Sequence, residues 1–548
     1  MSVIKWVLGL AVAGVGVFPV AGQDADWQLG KDGVNLKGAQ KLLRDRPAPA
    51  TVKVAVIDTG TEIDHPGLEG RIWRNPGELA GNGLDDDHNG YVDDVHGWSY
   101  LCGADTDLHH EAYESARMAR ALGRELRERW EMPEAEDSIA GWEATWQARM
   151  ADGSPVAASV LELHGLWTEV SREAREGSNN IASELEMGTM LYGFIQTVER
   201  ETGQSFSKDA LKAFSPSPGF EDALKGQMLN WLRVFDAAAL RDDIAGMATR
   251  SSEALQRSYL DMDSLRLAVV GDGPGVLDPG FGCTRVEGPD AEHGTHVSGI
   301  IAGRPGPDGR GNGVAPHALL ITLRAVPDGD ERDEDISRAI RYAVDQGARV
   351  INCSFGKSRS PGKHWVDDAL EYAASQGVLV VHAAGNDARD SDVRPSYPSR
   401  TLGDGSGTRM TNWLEVGASS SRRGRRVLAD FSNYGATVVD VFAPGDGIYA
   451  AIPDGGYGFN SGTSMAAPVV SGVAAFLWGY FPDLTAADMR EAIMASVRKP
   501  RRAVYIPGTR ERVPMEALCV SGGLVDARRA VQWALAWEAS RAESPAKR

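Results

Sequence analysis

The chain has 548 residues, 42% of them apolar and 24% charged, a length above the roughly 100–200 residues of one domain and a balance that excludes both a disordered chain and a polytopic membrane protein. Its 76 acidic against 57 basic side chains give a formal net charge of −19, which repels a phosphate backbone, so no nucleic acid is expected as a partner. Acidity of this size favours solubility and cation binding and names no function.

In chain order, the first predicted element is an N-terminal apolar stretch from Trp6 to Ala21, preceded by Lys5 and ending on the small residues Val20 and Gly22. Residues 1–22 read as a secretory signal, because the stretch falls short of the roughly 20 residues that span a bilayer. Secretion or delivery to a periplasm is expected, with no stable membrane insertion after cleavage. The run TVKVAVIDTG that follows Ala50 is β-branched, of strand length, and closed by Gly60. It predicts a buried strand of a parallel sheet with Asp58 at its carboxyl end, where open α/β sheets place their ligands.

The stretch NGLDDDHNGYVDD then sets side-chain oxygens at Asp85, Asp87 and Asn89, a turn at Gly90, a carbonyl at Tyr91 and a carboxylate at Asp93. The spacing follows the first nine positions of an EF-hand calcium loop, although the twelfth is His96 and not a bidentate Glu. Structural calcium and an Asx-rich turn without metal are both compatible with it.

Residues 105–266 show no strand pattern but have Ala, Glu, Arg, Leu and Met at helical spacing, and they carry 29 acidic and 17 basic side chains, most of the imbalance of the whole chain. An all-helical insertion is expected, docking a protein partner or overhanging a cleft. Beyond it, EHGTHVSGIIAG places His293 at a helix start. The runs ALLITLRAV, ARVINCSFG, GVLVVHAAGN, WLEVGAS and TVVDVFAPG alternate with helical patterns, which implies βαβ units and a sheet covered on both faces. Ser464 opens a small-residue helix in NSGTSMAAPVVSGVAAFLW, whose N-terminus favours developing negative charge. There are four cysteines. Three pairings are open; Cys353 reads equally as a buried thiol, and Cys102 with Cys283, which bracket the atypical segment, is the preferred bridge.

Nucleophilic hydrolysis by serine needs a base for the hydroxyl proton and a carboxylate that orients that base. Asp58, His293 and Ser464 supply these parts in the order Asp, His, Ser. On the strings VAVIDTG with DHPGL, HGTHVSGIIAG and GTSMAAPVVSG, the chain resembles the subtilisin-like serine peptidases over roughly residues 25–105 and 270–537. The resemblance implies a three-layer α/β fold with a central, mostly parallel sheet, interrupted by the helical insertion between the Asp and His motifs.

It further implies an endopeptidase acting on protein or peptide substrates through an acyl-enzyme, with no cofactor for catalysis and with structural calcium as in many relatives. Asn386 matches the family's oxyanion asparagine. Ser354, Phe355 and Gly356, and Ala383, Ala384 and Gly385, match its two substrate-strand walls. The expected organisation is a signal at 1–22, catalytic core at 23–104 and 267–537, insertion at 105–266 and a tail at 538–548. Only about 28 residues lie between the signal and the first strand, fewer than a folding prodomain of the family, so none is expected.

Overall fold

Strand β1, Val52–Asp58, is built from β-branched and small residues that point alternately to two buried faces. Val54 and Val56 join one apolar cluster, Ala55 and Ile57 another. Both clusters are needed because a parallel strand is covered on each side. Burying a side chain such as Ile57 contributes about 1.5–3 kcal/mol. The computed structural model describes residues 26–129, 139–151, 156–232, 237–257 and 262–542. The expected signal segment and the last six residues of the expected tail lie outside the described residues.

The chain divides into two compact units, residues 1–109 with 263–548, and residues 110–262. In the first, β1 is joined by β2 (Gly97–Ser99), β3 (Ala318–Arg324), β4 (Val350–Cys353), β5 (Leu379–Ala383), β6 (Trp413–Ser419) and β7 (Val441–Pro444) in one sheet of order β2-β3-β1-β4-β5-β6-β7. Every neighbouring pair of these strands runs parallel. Helices Glu292–Ala302 and Thr463–Tyr480 cover the face of Val54 and Val56; helices Asp333–Asp345 and Lys363–Ser375 cover the other. The result is a helix–sheet–helix sandwich. Helix Thr463–Tyr480 is buried on nearly all sides, which is why its sequence is apolar all round.

Strand β2 has no counterpart in the sequence reading. Three residues are too few to show a period, and Gly97 is the clue: at φ +124° a side chain there would stand 1.9 Å from the Thr322 carbonyl. The lead segment packs Leu36, Ala39 and Leu43 of helix Leu36–Leu43 into the core beside helix Ala527–Ala542.

The second unit has helices and no strand among its described residues, the longest being Ala158–Thr202. Leu126, Trp142, Trp146, Val160 and Trp167 form a buried cluster there, and the Trp167 indole donates to the Ala119 carbonyl at 3.1 Å. Gly123 makes this packing possible, since a side chain at that position would overlap the Trp142 ring.

Candidate active site

The register of the sheet gathers the site. Ile57 of β1 lies opposite Cys353 of β4, and Cys353 opposite His382 of β5. The residues that follow, Asp58, Ser354 and Ala383, therefore leave three adjacent strands at the same carboxyl edge. Adjacent strands stand about 4.8 Å apart, so the three chain segments are neighbours at that edge.

Asp58 is 2% exposed. Its Oδ1 accepts from the Thr59 N–H at 2.8 Å and pairs with His293 Nδ1 at 2.6 Å. The imidazole reaches it because helix Glu292–Ala302 comes very close to the turn after β1. A side chain at Gly294 would lie 2.0 Å from the Gly60 carbonyl and 3.2 Å from Asp58 Cβ, and one at Gly60, with φ +135°, would lie 2.0 Å from the Glu287 carbonyl. The glycines of the two motifs are thus demanded by the approach that brings Asp58 and His293 together.

About a third of the His293 side chain stays open to solvent, with a relative exposure of 34%. Its pKa lies above the ordinary 6.5. Burial, the largest single influence, opposes the charged ring, but the Asp58 charge and hydrogen bond, with Asp290 and Glu292, outweigh it. Three residues on, His296 is fully buried against the Ile448 and Gly458 carbonyls, at 3.1 and 3.3 Å from Nε2, and burial lowers its pKa to about 4.

Ser464 sits in the first turn of helix Thr463–Tyr480, where its N–H has no intrahelical acceptor. Two reciprocal bonds dock it on Ser354. Ser464 Oγ donates to the Ser354 carbonyl at 3.0 Å, and Ser354 Oγ donates to the Ser464 carbonyl at 2.9 Å. No hydrogen bond joins Ser464 to His293 in this state. The Asn386 amide oxygen accepts from the Thr463 N–H at 2.8 Å and the Thr463 hydroxyl at 3.0 Å. Because a backbone N–H must meet an oxygen, this fixes the amide's orientation and leaves Nδ2 without a partner among the described residues.

Asn433 went unnoticed in the sequence. Its Oδ1 accepts from the Asp387 and Arg389 N–H groups and its Nδ2 donates to the Ala384 carbonyl, so it shapes the loop that carries Asn386. Only its place in the polar string FSNYG hinted at this.

Of the two wall segments, Ser354 is buried, Phe355 half-buried and Gly356 exposed; Ala383 and Ala384 are buried and Gly385 half-buried. The Ala384 N–H bonds to the Val416 carbonyl and the Gly385 N–H to the Thr463 hydroxyl. Backbone on that side is thus largely committed within the protein.

The acidic loop is arranged differently from an EF-hand. Asp85 accepts from the Asn89 and Gly90 N–H groups, Asp93 from those of Gly81, Asn82 and Gly83, and Asn89 Oδ1 from that of Tyr91. The carboxylates that converge are Glu78, Asp87 and Asp94, with oxygens within 4.8 Å of one another. Cys102 and Cys283 are joined in a disulfide with Cα atoms 5.7 Å apart; Cys353 and Cys519 are free and buried.

A family model described as the subtilase family matches residues 282–512. A thermophilic serine proteinase of Bacillus sp. (strain AK1) is 39% identical over 186 residues, which cover 34% of this chain and 42% of that protein. Thermitase of Thermoactinomyces vulgaris is 36% identical over 186 residues, 34% of this chain and 60% of that protein. Among solved structures, a protease of Pseudoalteromonas arctica PAMC 21717 is 28% identical, covering 49% of this chain and 81% of that one with a TM-score of 0.37. By the family and sequence matches the chain is similar to the subtilase family over residues 282–512 and to subtilisin-like proteases among its relatives. It spans about half the length of the curated relatives it matches.

Proposed function

We propose that this chain is an exported serine endopeptidase that hydrolyses peptide bonds through an acyl-enzyme on Ser464. The reading is carried by one observation: the 2.6 Å pair of His293 Nδ1 with buried Asp58, at the same sheet edge as Ser464 and Asn386. Asp58 holds the proton on Nδ1, which leaves Nε2 as the base. As substrate binds, the Ser464 hydroxyl swings from the Ser354 carbonyl, gives its proton to Nε2 and attacks the peptide carbonyl. The oxyanion is met by Asn386 Nδ2 and the Ser464 N–H; both lack a partner among the described residues and so are preorganised for that charge. His293 then protonates the leaving amine, and water repeats the sequence on the ester.

Reaction with a fluorophosphonate probe, abolished by Ser464→Ala, tests the nucleophile. Failure of the folded protein to label would overturn the reading.

The acidic loop is proposed as a calcium site held by Glu78, Asp87 and Asp94, in place of the EF-hand order. Glu78 is 4% exposed and its Oε2 is buried without a hydrogen-bond partner, as a cation ligand would be. Calcium there would tie down the loop and take no part in catalysis.

For residues 110–262 the proposal is recognition of protein substrates or of a protein partner. Their deletion is expected to slow cleavage of a folded protein more than that of a short peptide; equal effects would remove the idea. No helix of the described residues is long and apolar enough to cross a membrane. Export is proposed on the N-terminal segment alone.

A further inference from the structure

His382 and Glu415 are register partners on β5 and β6, so they share a face of the sheet. Both are buried beside apolar side chains such as Trp413 and Phe355: His382 is 0% exposed and Glu415 4%. The ring's Nδ1 lies 3.0 and 3.1 Å from the two Glu415 oxygens, and the Trp413 indole also donates to Glu415 Oε2 at 2.9 Å. An ionised carboxylate only accepts, so Nδ1 carries the proton. In the neutral ring the other nitrogen, Nε2, is then a lone pair, and it is buried with no hydrogen-bond partner among the described residues.

The reaction proposed above does not use this pair, and a buried orphan acceptor is costly enough to call for a reason. Its surroundings supply one. A side chain built on Gly356 would come within 3.5 Å of His382 Nε2, 2.8 Å of Ser396 Oγ and 3.2 Å of the Tyr397 carbonyl. Three polar atoms thus converge on the Gly356 Cα, so closely that any side chain there would crowd them, and the Phe355 ring meets His382 edge-on with centroids 6.3 Å apart. Segment 354–357 is pinned there by the Lys357 and Tyr397 backbone groups, which bond reciprocally at 2.9 Å. Ser396, Tyr397 and Glu415, though neither His382 nor Gly356, line a cavity of about 810 Å³ next to this cluster, large enough to admit a side chain.

Ser464 is docked on Ser354, so the substrate residue whose carbonyl is attacked must lie over Ser354. Gly356 is two residues away, at most about 7 Å along the chain and within reach of a long side chain.

We propose that His382 is a specificity-determining residue: its Nε2 lone pair accepts a hydrogen bond from the side chain of the substrate residue that supplies the attacked carbonyl. The preferred substrates carry a terminal O–H or N–H donor at that position, as Tyr or Lys does, over isosteres such as Phe or Met that leave Nε2 unpaired. The inference rests on the peptidase reading and deepens it.

The test is a matched series of peptides, Tyr against Phe and Lys against Met at that one position, with kcat/KM measured for the wild-type full chain and for His382→Ala. A preference of roughly tenfold or more for the donor-ended member of each pair is expected in the wild type. In the variant the ratio is expected to fall to about one, with folding checked by thermal melting and Ser464 by probe labelling. Wild-type cleavage that is indifferent to the donor, or faster for Phe and Met, overturns the inference alone, even if the variant does not fold. A preference that survives in a folded variant overturns it too. Failure of the wild type to cleave any peptide would sink the peptidase reading, and this inference with it.

Discussion

His293 Nδ1 and Asp58 Oδ1 stand 2.6 Å apart at the end of β1, and the pair keeps the imidazolium stable above the ring's ordinary pKa of 6.5. A base must be neutral to accept a proton, so kcat/KM should climb with pH along a limb whose midpoint lies above 6.5. Asp58→Asn should lower kcat by about 10⁴. In a Ser464→Ala background it should also move the His293 titration, followed by NMR of the ring protons, to lower pH. A titration left unmoved would show that Asp58 is not what raises it.

Asn386→Ala removes one of the two proposed oxyanion donors while leaving the proposed nucleophile and base in place. A fall in kcat of about 10²- to 10³-fold with little change in KM is expected. Steady-state kinetics on one peptide decides it; a change confined to KM would assign the residue to ground-state binding. Asn433→Ala should lower kcat by a smaller factor, since it acts by shaping the loop.

How much of this could be read from the sequence depends on what each residue's neighbours demand. Asp58, His293 and Ser464 stood out because each lies in a long, specific string, and beside Asp58 and His293 close backbone approach forces glycine, at Gly60 and Gly294. The alternating strands were equally plain, since burial of both faces keeps them apolar throughout.

At the acidic loop a linear spacing rule saw only residues 85–93, whereas the chain folds back through Asn75, whose amide bonds both Asp87 and Asp94, at 2.9 and 2.8 Å, and brings Glu78 and Asp94 beside Asp87. The His382 and Glu415 pair did leave a signal. A titratable residue sits in each of the buried runs GVLVVHAAGN and WLEVGAS, and only the register between them shows that they meet.

His296 makes stability depend on pH in the acid range. Its pKa is about 4 in the folded protein against 6.5 for the free ring, because burial lowers it. Between those values the unfolded chain binds the extra proton, so stability falls as pH drops from about 6.5 to about 4. The whole effect is on the order of 3 kcal/mol. His293 works in the opposite sense: its raised pKa adds stability below 6.5 that fades as pH rises through the folded value. Denaturant midpoints at pH 4.5 and 6.5 should differ for the wild type and differ less for His296→Gln.

If Glu78, Asp87 and Asp94 hold calcium, millimolar calcium should raise the thermal midpoint, by a degree or more at saturation, and a chelator should reverse the shift. Glu78→Gln should abolish the response without changing probe labelling of Ser464. A midpoint indifferent to calcium in the wild type would reduce the loop to a network of Asx turns.

The bridge from Cys102 to Cys283 spans 181 positions of sequence and turns everything between into a covalent ring. A single cut anywhere in that ring, including one that the proposed peptidase activity would make in the chain itself or in a neighbour, yields two polypeptides that remain one molecule. Asp58 on the first piece and His293 and Ser464 on the second stay tethered until a reductant separates them. Such a nick would be invisible on a non-reducing gel and obvious on a reducing one, so the molecule can be trimmed within its insertion without losing half of its machinery.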